Sequence, residues 1–72
     1  SSAEYCNALS GAAAPQNAKE LLNLILGRTE VAKAEILRIS ALDISYEEKV
    51  EAMEQELTEA EDYFKSVMAQ KN

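Results

Sequence analysis

The chain has 72 residues, a net charge of −6, no histidine and a single cysteine, so it is one small acidic domain with no intrachain disulfide. A domain of this size buries only roughly 60% of the surface its unfolded chain exposes, and small domains usually compensate with disulfides, a metal or oligomerisation. With the first two poorly supplied, oligomerisation is the expected reinforcement.

The acidic balance argues against direct binding to nucleic-acid phosphates, which requires clustered basic residues. Arg28, Lys33 and Arg38 do not form such a cluster, because helical spacing spreads them around the axis. An apolar fraction of 47%, rich in Ala and Leu with one Pro and two Gly, predicts an all-α fold rather than a disordered chain. No stretch approaches the roughly 20 apolar residues that cross a bilayer. The lone thiol and the absence of an N-x-S/T sequon predict an intracellular, cytoplasmic setting, and no membrane attachment is expected.

In chain order, residues 2–10 predict a short helix with Ser2 as a cap, Tyr5 and Leu9 on one face, and Gly11 as a stop. Nine residues make a marginal helix unless it packs on something. Cys6 is expected to pack as a small apolar residue, since no neighbouring Lys, Arg or His lowers its thiol pKa.

Residues 17–42 predict a second, long helix opened by Asn17 and Glu20. Ala18, Leu22, Ile25, Thr29, Ala32, Ile36 and Ile39 alternate at spacings of four and three, which continues through Gly27. A continuous helix is the first expectation. The competing one ends a helix at Leu26 and restarts at Thr29 as an N-cap. Beyond its main stripe this helix carries Leu24, Val31 and Leu42 on a second face, and Leu26 and Leu37 on another. A helix apolar over so much of its surface belongs in a central position.

Residues 42–45 form a short connection, which makes sequential helices antiparallel neighbours. The third helix spans 46–70. It opens on an S-x-x-E capping box from Ser45 to Glu48 and presents Val50, Met53, Leu57, Ala60, Phe64 and Val67 on one side. Glu47, Glu51, Glu54, Glu61 and Asp62 make an acidic flank, with Lys65 the only opposing charge there. The resulting domain, 1–72, is a short N-terminal helix followed by a long antiparallel helical hairpin. Two hairpins pairing into a four-helix-bundle-like homo-oligomer bury the apolar surplus of the second helix.

Chemistry is thinly supplied. Without histidine there is no triad and no usual neutral-pH acid–base pair, so no enzymatic activity is expected. Glu47, Glu51 and Glu54 are spaced to converge on one helical face, but neither a Glu-x-x-His motif nor an EF-hand loop is present, so no metal or other cofactor is expected. Ser45 lies between Ile44 and Tyr46, which does not match the Asp-Ser-Leu motif of acyl carrier proteins.

The sequence therefore predicts a non-enzymatic protein–protein interaction module, an adaptor, assembly factor or regulator. Its partner is itself or another protein, and Leu24, Val31, Leu42 and Tyr63 form its interface. Tyr46, near the main stripe, is expected to be structural. The alternative is an inhibitor, phage-type in mechanism, whose helical carboxylates imitate nucleic-acid phosphates and block a basic site.

Overall fold

The computed structural model describes residues 14–70, and the 2–10 helix predicted above, with Tyr5 and Cys6, lies outside them. The described chain contains two helices, α1 (Ala18–Ser40) and α2 (Tyr46–Ala69), in antiparallel contact, and no strand. Overall extents of 45 × 21 × 14 Å are those of two helices side by side in a single layer.

Both helix starts follow the capping logic of the sequence. Asn17 Oδ1 accepts from the Glu20 amide at 2.9 Å, and Glu20 Oε1 in turn accepts from the Gln16 amide at 3.2 Å, one residue before the cap itself. At α2 the reciprocal box is complete: Ser45 Oγ accepts from Glu48 N at 3.1 Å, and Glu48 Oε1 accepts from Ser45 N at 3.3 Å. Thus one of the free amides at the start of α1 and two at the start of α2 are satisfied by these side chains.

Helix α1 runs unbroken through Gly27, which excludes a second helix starting at Thr29. The Thr29 hydroxyl does not cap forward. It donates back to the Ile25 carbonyl at 2.8 Å, a bond that belongs to a helix interior. The helix stops two residues earlier than expected. The Ala41 and Leu42 amides turn to the carbonyls of Arg38 and Ile39 at 3.2 and 3.1 Å, tightening the last turn. Lys49 Nζ then reaches across from α2 to the Ser40 carbonyl at 2.8 Å, and so satisfies one of the free acceptors at the end of α1.

The seam between the helices is narrow. Ala32, Ile39, Ala60 and Val67 are the buried apolar residues among those described, and only Val67 is fully enclosed. Between them Arg28, 3% exposed, donates through Nη2 to Glu56 Oε2 at 2.6 Å. This ion pair corrects the expected stripes. Glu56 occupies the seam position and its neighbour Leu57 is 54% exposed, while Leu22 and Thr29 lie outside on α1. Tyr46 is also fully at the surface, not structural, with 76% of its area exposed.

The physical reason is breadth. One helix covers only a limited arc of its neighbour, and both apolar stripes are wider than that arc. Ala32 and Ala60 bring small side chains to the contact, and the long apolar stem of Arg28 fills space there while its head meets Glu56. The apolar stripes lean off the seam as a consequence.

Candidate functional site: two unlike faces of the hairpin

At about 100° of turn per residue, Leu24 and Val31 leave the Ala32 direction on one side of α1, and Leu22 and Leu26 on the other. On α2 the same rotation places Ala52 and Glu59 to one side of Ala60, and Leu57 and Met68 to the other. Glu35 and Arg38 share a groove with Ala52, Gln55 and Glu59. The Val31 side of α1 and the Glu59 side of α2 therefore form one broad face, and Leu22, Leu26, Leu57 and Met68 belong to the opposite one.

The first face is grooved and mixed in character. An open groove of about 260 Å³ is lined by Asn23, Leu24, Gly27, Arg28, Val31 and Tyr63. It shares Asn23 and Leu24 with a second depression, of about 310 Å³, beside Ala14, Pro15 and Glu20. Three of the predicted interface residues, Leu24, Val31 and Tyr63, are thus brought together. The Tyr63 ring also stands edge-on to Phe64, with centroids 6.0 Å apart. Leu42 does not join them. It sits past the end of α1, in the connector, because the tightened last turn takes it off the helical face.

Farther along this face lies a groove of about 210 Å³ lined by Glu35, Arg38, Ile39, Ala52, Gln55, Glu56 and Glu59. Arg38 Nε donates to Glu35 Oε1 at 2.8 Å, and Nη2 makes a second, shorter bond to the same oxygen. That hydrogen bond, with the guanidinium charge behind it, holds the Glu35 carboxyl below the usual carboxylate range and raises Arg38.

The opposite face is apolar. Leu22, Leu26, Leu57 and Met68 are each about half exposed, and Ile36, Val50 and Phe64 are half-buried on the same side. Monomeric proteins scatter single apolar residues over their surfaces, whereas several half-exposed ones gathered on one face suggest a protein partner. Periodicity alone places Leu22 and Leu57 in the intramolecular contact and so misses them as surface. The signal that separates them is the Arg28–Glu56 pair, whose partners are 28 residues apart.

The acidic residues lie on the outer side of α2, with Glu54 and Glu61 at its edge with the apolar face. Glu47, Glu51, Glu54 and Glu61 are exposed, and Asp62 is half-buried. Lys65 Nζ bonds Glu61 Oε1 at 2.9 Å, which raises the lysine and neutralises that end of the array. Among the described residues no three His, Cys, Asp or Glu side chains converge on a position for a metal ion. No helix among the described residues is long and apolar enough to cross a membrane. No protein-family model, curated protein or solved structure matches the chain.

Proposed function

We propose that this chain is a non-enzymatic protein–protein interaction module, an adaptor, assembly factor or small regulator that works through helix faces. One observation supports it above the others. The hairpin encloses four apolar side chains among the described residues and leaves Leu22, Leu26, Leu57 and Met68 half in water on one face. Covering that face offsets the thin internal core, because each buried apolar side chain contributes about 1.5–3 kcal/mol.

The test is a capture experiment with the full chain as bait in its native extract, run beside a Leu26→Glu, Leu57→Glu variant. The wild type is expected to retain a protein, its own copy or another, that the variant loses. Identical retention by both chains overturns this reading.

A second reading, an acidic inhibitor of a basic site, draws on the exposure of Glu47, Glu51 and Glu54 along one rigid helix. Its mark is steep salt sensitivity, because exposed charges are screened over about 10 Å at 0.1 M salt. The Glu61–Lys65 bond interrupts the array, so the apolar face carries the stronger argument.

A further inference from the structure

We infer that the occupant of the Leu22–Leu26–Leu57–Met68 face is a second copy of this chain, stacked so that α1 of each copy lies over α2 of the other. The inference rests on the interaction-module reading above and specifies its partner. Two observations support it.

The first is size. The hairpin outline of 45 by 21 Å spans roughly 900 Å² in projection, an upper bound on what one face can bury. A standard interface takes about 800 Å² from each partner. The apolar residues of α2 lie toward the seam with Glu54 and Glu61 outside them, and on α1 Lys33 falls between Leu22 and Leu26 around the helix axis. Stacking two single-layer hairpins yields two layers of helices around one core, the arrangement that lets an amphipathic helix bury its stripe.

The second is charge, which selects the arrangement. Helix α1 carries Lys19, Arg28, Lys33 and Arg38 against three glutamates, a net +1. Helix α2 carries Lys49 and Lys65 against seven glutamates and one aspartate, a net −6. A two-fold axis across the helices lays α2 on α2 and opposes the two acidic arms. A two-fold axis along the helices lays α1 on α2 in both halves, which removes that repulsion and makes every neighbouring pair antiparallel.

The second arrangement has a specific consequence. The Arg28–Glu56 and Lys49–Ser40 contacts set the register of the hairpin, and they put Lys33 level with Glu54. Both residues turn toward the apolar face. A rotation along the helices keeps that level, so Lys33 of each copy meets Glu54 of the other, twice by symmetry.

The experiment is sedimentation equilibrium on the purified full chain, with circular dichroism to confirm retained helix. The wild type is expected to sediment at twice the chain mass. Leu57→Glu, at a position already half exposed within one hairpin, is expected to weaken association on the order of 100-fold at unchanged helicity. Lys33→Glu and Glu54→Lys chains are each expected to associate poorly alone and to form a heterodimer when mixed. A monomeric wild type, or a dimer indifferent to Leu57→Glu, overturns the second copy as occupant. A dimer that shows no preference in the Lys33→Glu and Glu54→Lys mixture overturns the stacking. The interaction-module reading fails separately, if the wild type and the Leu26→Glu, Leu57→Glu variant retain the same proteins from extract.

Discussion

Arg28 and Glu56 meet at 2.6 Å inside the seam of the hairpin, with side chains 3% and 10% exposed. A charged pair stands where the apolar periodicity of both helices calls for aliphatic contact. Such pairs add little net stability, because desolvating both charges offsets most of their attraction. Their effect is on register. Sliding or rotating one helix against the other leaves both charges buried without a partner, so one alignment of α1 on α2 is singled out.

Removing one partner is therefore expected to cost more than the pair itself contributes. Arg28→Met or Glu56→Leu alone is expected to lower unfolding free energy by about 3–5 kcal/mol. The double variant is expected to recover most of this loss, and its helices become free to change register. Urea unfolding of the two single variants and the double variant, analysed as a mutant cycle, measures the coupling. Additive losses would show that the pair is not an energetic unit.

The rotation of the seam predicts unequal costs for two residues that occupy equivalent positions in their sequence stripes. Ile39 is 3% exposed, and Ile39→Ala is expected to cost about 2–5 kcal/mol. Leu57 is half exposed, and Leu57→Ala is expected to cost well under that in any state where the face is uncovered. Unfolding measured at low chain concentration gives the comparison. Equal losses at the two sites would return Leu57 to the intramolecular contact.

The helical hairpin was legible in the sequence because it is set locally. Asn17, Ser45 and Glu48 are capping residues whose chemistry acts within one turn, and they located both helix starts. The five-residue connection between Ser40 and Tyr46 made the helices antiparallel neighbours. Rotation about the helix axes was not legible, because stripes containing Leu22, Ile25 and Leu26 or Met53, Leu57 and Phe64 are broader than one contact. Fixing it depends on Arg28 finding Glu56 across 28 residues, which no local pattern encodes. The same long-range fact separates the exposed Leu22 and Leu57 from the buried Ala32 and Ala60. Leu24, Val31 and Tyr63 stand out from helix faces alone, and the hairpin brings them to one groove.

Glu35 gives a pH-dependent prediction on the grooved face. Its hydrogen bond from Arg38 lowers its pKa, so its ionised form is favoured in the folded chain. A lowered carboxyl contributes its stabilisation above the unfolded pKa and loses it as pH falls through the folded one. Both side chains are substantially solvated, so the effect on stability is small. A carboxyl-detected NMR titration is expected to show the Glu35 midpoint rising in Arg38→Gln. An unchanged midpoint would mean that the pair does not persist in solution.

Gly27 offers the last prediction, on the groove formed with Leu24, Val31 and Tyr63. It lies in the interior of a continuous helix, and a methyl group built on it meets nothing within 4 Å. Within one hairpin no steric demand calls for glycine. Gly27→Ala is expected to stabilise the helix by about 1 kcal/mol, through the lower backbone entropy of the unfolded chain. Thermal unfolding reads this directly, as a higher Tm with unchanged helicity. A lower Tm would mean that another protein surface approaches the backbone at Gly27, placing an interface on the Val31 side as well as on the Leu57 side.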